Sequence, residues 1–194
     1  MDYELPQTSR DFPKPRIAPL NPVDSTPEIV ATLAGVKAKL GLLPNLIATL
    51  AHSPGAVNGY LSLSSALSAS LLGARQREIV ALAVGQSNEC GSCLAAHTAI
   101  GEGAGLTGEA IAAARRGEGT SSADSALAHF AHVLTESRGK PTETDYQTFL
   151  AAGFRPAQAL DVVALVALNT LTNYTNHLAG TVVDFPAVSL QQEA

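Results

Sequence analysis

Residues 88–97 read NECGSCLAAH and hold both cysteines of the chain, Cys90 and Cys93, with His97 four residues after the second. Three chemistries suit a Cys-x-x-Cys pair beside an imidazole: a structural disulfide, a metal site or a working thiol pair. On a helix that starts near Asn88–Cys90, positions 90, 93 and 97 lie along one face. Unpaired backbone N–H groups and the helix dipole at such an N-terminus lower a thiol's pKa. An imidazole four residues beyond Cys93 can accept its proton or pair with its thiolate. The same spacing lets the sulfurs close a short disulfide loop without displacing the helix.

Glu78 adds a third element. It lies twelve residues before Cys90 on the preceding helical segment, which a short connection folds back against the cysteine-bearing helix. A carboxylate there can orient or protonate His97, directly or through water. Glu-x11-Cys-x2-Cys-x3-His is therefore a more specific pattern than Cys-x-x-Cys alone. Blander readings stand beside it. The cysteines can be small buried residues, or Cys90, Cys93, His97 and Glu78 can be four zinc ligands, although zinc sites more often draw on two separated knuckles. Glu78 by itself reads as a surface carboxylate beside Arg75 and Arg77.

The elements that position these residues read as helices throughout. Residues 1–25 carry Pro6, Pro13, Pro15, Pro19 and Pro22 and read as an extended arm, able to wrap a partner subunit or to stay mobile. Ser25 or Thr26 caps a helix with Pro27 at its first position, stopping at Gly41. One or two helices follow, interrupted near Ser53-Pro54-Gly55. Residues 74–89 are helical, with Ile79, Leu82, Ala83 and Gln86 following a 3.6 period. The cysteine helix ends in a glycine cluster; next come a short helix with Thr107 at its start, one that follows a serine cap near 121, and one over 142–153 that stops at Gly153. A last long helix begins near Arg155-Pro156, and 184–194 form an irregular tail. The fold class is all-α, with one domain over 26–183.

One internal echo stands out. EIVALAV from Glu78 and DVVALVA from Asp161 align, and the same offset places Cys90 on Asn173 and Cys93 on Asn176. Two similar helical hairpins, one reactive and one retired, would account for it.

Apolar residues make up 46% of the 194 and charged residues 15%, and the apolar share rests heavily on alanine. Such helices approach closely and leave surface for other subunits to cover, which predicts a homo-oligomer. A net charge of −5, with no basic run longer than Arg115-Arg116, excludes a nucleic-acid partner. The start, MDYELPQTSR, has no charged n-region or apolar h-region, so no signal peptide is expected. The apolar run around Val162–Leu168 is far shorter than a membrane span. A cytoplasmic location is expected, where a close cysteine pair is more often catalytic, redox-sensing or metal-binding than structural.

The combination Glu78…Cys90-Gly-Ser-Cys93-Leu-Ala-Ala-His97 resembles the active-site signature of the AhpD-like alkylhydroperoxidases of the carboxymuconolactone decarboxylase superfamily, over roughly residues 40–110. NYTNHLAGTVVDFPAV, from Asn173, resembles the C-terminal segment of that superfamily's peroxidase-related members. The resemblance implies an all-helical AhpD-like fold assembled as trimers or hexamers. It implies Cys93 as the thiol that attacks a hydroperoxide, its proton drawn off through His97 and Glu78, and Cys90 as the thiol that closes the disulfide. No bound cofactor or metal is implied, but an external dithiol reductant is, such as a lipoyl group or a thioredoxin-like protein. Those alkylhydroperoxidases carry a further histidine just before the second cysteine, where this chain has Ser92, so the relay lacks one member. The superfamily's decarboxylase works without a cysteine pair, so decarboxylation is not implied. A general thiol–disulfide oxidoreductase and a non-enzymatic zinc-binding or structural oligomer are the alternatives.

Other residues read as structure. His129 and His132 sit on an exposed helix edge, and His177 packs with Asn173 and Asn176. GEGAGLTG ends a helix rather than cradling a phosphate, since no strand precedes it. The NYT at 173–175 lies on a helix and not in a glycosylated loop.

Overall fold

The computed structural model describes residues 14–191, and among these the chain is all-helical, without a strand. After a 3-10 turn at Pro22–Asp24 come α1 (Pro27–Leu40), α2 (Asn45–Leu50), α3 (Pro54–Ser68), α4 (Ala74–Ser87) and α5 (Gly91–Gly103). They are followed by α6 (Gly108–Arg115), α7 (Ser122–Glu136), α8 (Glu143–Ala151) and α9 (Pro156–Ala179). The caps expected at Thr26 and at a serine near 121 form, and others are found beside them. Thr26, Ser53, Thr107, Ser121 and Thr142 each accept a backbone N–H from the first turn of the next helix, and Gly41 ends α1 at φ +79°. No single helix among the described residues is long and apolar enough to cross a membrane.

One core of Ile29, Leu33, Ile47 and Val57 joins α1, α2 and α3. A larger one surrounds α4, with Leu82, Leu94, Leu127 and Val162 fully buried and Phe130, Phe149 and Phe154 stacked at its far side. The 3.6-residue stripe expected on α4 is not what the fold uses. Every residue from Ile79 to Gly85 is buried, because α5, α6, α7 and α9 pack around the helix. Alanine and glycine supply the small faces that let four helices approach one.

The N-terminal end of α4 is anchored electrostatically. Arg75 grips Asp124 of α7 through two hydrogen bonds of 2.7 and 2.8 Å, and the Asp124 side chain is only 11% exposed. The Arg75 guanidinium holds the Asp124 carboxyl below its ordinary pKa, against the opposing effect of burial. A depressed carboxylate pKa stabilises the fold above the unfolded-state value and loses that contribution as pH falls through the folded value. Arg75→Met should cost about 1–2 kcal/mol at pH 7, since it strands a buried carboxylate whose partner was partly solvated. In urea melts the gap between variant and wild type should narrow as pH falls below about 4, the ordinary carboxyl value, and close as it passes the lower value of folded Asp124.

The described part of the arm lies on its own chain. Arg16 and Ile17 donate backbone hydrogen bonds to the Ala179 carbonyl, Leu20 donates to Ala48, and His52 Nε2 bonds the Ala18 carbonyl. Pro15, Pro19 and Pro22 belong to this stretch, whereas Pro6 and Pro13 lie outside the described residues. The tail after α9 also returns: Asn45 donates its backbone N–H to Asp184 at 2.8 Å and its side-chain amide to the Val182 carbonyl at 3.2 Å.

The second hairpin suggested by the echo does not form. Residues 161–176 run without a break inside the 24-residue α9. The chain turns between α4 and α5 because Glu89 adopts the left-handed conformation, and the echo places Thr172 there. A β-branched residue resists that conformation, so the helix continues. Asp161, the echo of Glu78, accepts the Leu71 N–H at 2.9 Å instead.

Candidate active site

A sharp turn presents the cysteines. With Asn88 closing α4, Cys90 N–H bonds the Gly85 carbonyl at 2.8 Å and Glu89 N–H bonds Gln86 at 2.9 Å. This is a Schellman stop with Glu89, at φ +52°, in the position usually taken by glycine. Cys90 is then the N-cap of α5, and its Sγ accepts the Cys93 backbone N–H at 3.3 Å. Cys90 and Cys93 are joined in a disulfide, their Cα atoms 5.3 Å apart. Both are buried, at 1% and 4% exposure.

Glu78 and His97 meet across the α4–α5 contact. His97 Nδ1 lies 2.7 Å from Glu78 Oε2, with the side chains 22% and 15% exposed. Glu78 is therefore not a surface carboxylate: Arg75 is engaged by Asp124, and Arg77 Nη1 donates to the Leu72 carbonyl at 2.7 Å. Two glycines lie at this contact. A Cβ on Gly85 would stand 3.4 Å from Leu94, and one on Gly101 would meet Leu106 at 3.0 Å and Glu78 at 3.7 Å. A carboxylate bonded to Nδ1 fixes the imidazole tautomer and leaves Nε2 as the nitrogen that exchanges a proton. Among the described residues Nε2 makes no hydrogen bond, to Cys93 or otherwise.

These groups border a cavity of about 490 Å³ between the two cores. Cys93, Glu78, His97 and Ser92 line it, while Cys90 stands behind the wall. Most of the remaining wall is apolar, from Leu46, Ile47, Leu67, Ile100, Leu165 and Phe185. Arg77 and Tyr60 add polar groups. Burial, and secondly the charge of Glu78, hold the Tyr60 phenol above its ordinary pKa, so it stays protonated as a donor.

Two asparagines of α9 complete the site, where the sequence suggests only polar packing with His177. His177 is exposed in the last turn of α9. Asn173 Oδ1 instead accepts from Asn88 Nδ2 at 2.8 Å, tying the turn before Cys90. Asn176 Nδ2 reaches Cys93 Sγ at 3.2 Å and Cys90 Sγ at 3.8 Å. The echo held the signal, for these two residues align with the cysteines, and Asn176 reaches both sulfurs. Tyr60, on α3, carried no such signal.

The remaining readings resolve geometrically. Glu78 is engaged by His97 and the sulfurs by each other, and among the described residues no group of three or more His, Cys, Asp or Glu is placed to hold a metal ion. His129 bonds Asp145 and His132 bonds Ser87, so the two rings serve separate contacts. Gly103 ends α5 and Gly105 turns at φ +87°, as a helix terminus does. Asn173 is fully buried within α9.

Residues 54–136, which contain every motif residue, match the carboxymuconolactone decarboxylase family. No curated protein matches the chain. Among solved structures, an uncharacterised peroxidase-related protein of Ralstonia eutropha JMP134 with an alkylhydroperoxidase AhpD core superimposes with a TM-score of 0.79. The two share 22% identity over 89% of this chain and 93% of the other. An uncharacterised peroxidase-related protein of Silicibacter sp. TM1040 gives 0.76 at 20% identity, over 90% and 95%. The debrominase Bmp8 gives 0.72 at 19% identity, over 87% and 91%. At these identities the likeness establishes the AhpD-like fold.

Proposed function

We propose that this protein is a thiol-dependent reductase of organic hydroperoxides, a reading supported by the match of residues 54–136 to the carboxymuconolactone decarboxylase family and by the AhpD-like fold. One observation carries the reading: of the two sulfurs, only Cys93 borders the apolar cavity, and the Glu78–His97 pair lies in the same wall. In the reduced protein His97, oriented by Glu78, takes the Cys93 proton. The Cys93 thiolate attacks the distal oxygen of R–O–O–H, the O–O bond breaks, and the departing alkoxide takes a proton from His97. Cys93 is then a sulfenic acid. The Cys90 thiolate, stabilised by the α5 N-terminus, attacks that sulfur, and hydroxide leaves as water. Two thiols and one hydroperoxide thus give one disulfide, one alcohol and one water. An external dithiol of lipoyl or thioredoxin type restores both thiols through a mixed disulfide. Ser92, in place of the family's extra histidine, leaves His97 as the one imidazole serving the sulfur. Leu160, Leu171, Tyr174 and Leu178, exposed along α9, support a homo-oligomer.

The test supplies dihydrolipoamide as reductant and compares cumene hydroperoxide with hydrogen peroxide. With an apolar cavity, kcat/KM should favour cumene hydroperoxide by about tenfold or more. Oxidation of dihydrolipoamide no faster with protein than without it, for either peroxide, would defeat the reading.

A further inference from the structure

We propose that Asn176 is a further catalytic residue of this site, its side-chain amide donating to the Cys93 sulfur and stabilising the thiolate. The amide is 8% exposed, borders the cavity, and places Nδ2 3.2 Å from Cys93 Sγ. Its Oδ1 is buried without a hydrogen-bond partner among the described residues. A buried amide with an idle oxygen and a nitrogen on a disulfide sulfur gains little in the oxidised state, because that sulfur is a weak acceptor. On reduction the sulfur can carry a full negative charge, and the contact becomes a charge-assisted hydrogen bond. The amide is thus matched to the reduced, reactive state. The position is also held: Asn173, one turn earlier, clamps Asn88 and fixes α9 against the turn that presents the cysteines.

The titratable and charged groups around Cys93 come from other elements. Arg77 and Glu78 come from α4, Cys90 from the N-cap of α5, His97 from α5, Tyr60 from α3 and Asp184 from the tail. The polar groups that α9 adds to the wall, Asn169, Thr172 and Asn176, are all uncharged. Asn176 therefore stabilises the thiolate without adding a charge that changes with pH.

The experiment needs no hydroperoxide, so it stands apart from the reductase reading on which the word catalytic rests. In a Cys90→Ser background the Cys93 thiolate is titrated by its absorbance near 240 nm and by iodoacetamide alkylation. Asn176→Leu preserves volume and removes the donor, and Asn176→Asp places a carboxyl there. The apparent pKa of Cys93 should rise by about one unit in the first variant, and alkylation at pH 7 should slow roughly tenfold. The second variant should raise the pKa further. Thermal midpoints separate this role from a structural one, which predicts a loss of stability with the thiol pKa unmoved. A Cys93 pKa within about 0.2 units of the parent in both variants overturns the proposal. A Cys93 that responds as expected in a protein that reduces no hydroperoxide sinks the function and leaves the role of Asn176 in place.

Discussion

Cys93→Ser should abolish hydroperoxide reduction, with a loss in kcat/KM on the order of 10⁴-fold or more, because a serine hydroxyl supplies no nucleophile comparable to a thiolate. The informative partner is Cys90→Ser. It should react once with hydroperoxide, stop at a sulfenic acid on Cys93, and trap there with dimedone, visible by mass. Two features of the site pull in opposite directions on this point. The α5 N-terminus serves Cys90, whose Sγ accepts the Cys93 N–H at 3.3 Å. The cavity serves Cys93, and Cys90 is 1% exposed behind it. Access decides, since a stabilised thiolate that cannot touch an organic hydroperoxide does not react with it. A dimedone adduct on Cys90 in the Cys93→Ser protein would reverse the assignment.

Next in size is the loss from the proton relay. His97→Ala should lower kcat/KM by about 10²–10³-fold, the usual range for a positioned acid–base group. Glu78→Gln should cost less, roughly tenfold to a hundredfold, because the imidazole remains but loses the partner that fixes it. The double variant should be little worse than His97→Ala, as two members of one relay act as a unit. A structural role for the pair would give additive losses and an unchanged pH profile. For a relay, the His97→Ala rate should instead climb with pH, as Cys93 ionises without the imidazole.

What the sequence made legible was local. Glu78, Cys90, Cys93 and His97 lie within twenty residues, and the turn between two helices is enough to bring them together. The helix caps at Thr26 and Ser121 are likewise one-turn interactions between near neighbours. What stayed hidden depends on packing over long separations. The burial of α4 on all sides was masked by its alanines, which are too weakly apolar to mark a face and small enough to be buried on any. The unbroken path of α9 reflects Thr172, which resists the left-handed conformation that its counterpart Glu89 adopts between α4 and α5. Asn176 reaches the sulfurs from 83 positions away in sequence, a separation that only the alignment of Glu78 with Asp161 brought into view. Tyr60 and the returning tail at Asp184 belong to cavity walls that no periodicity encodes.

The most direct test is a single turnover of the fully reduced wild-type protein with one equivalent of cumene hydroperoxide, counting free thiols and product alcohol together. The account predicts that two thiols disappear for each alcohol formed, that the Cys90–Cys93 disulfide accounts for both, and that dihydrolipoamide returns them. Two thiols still free after the hydroperoxide has been supplied, with no alcohol formed, would contradict it.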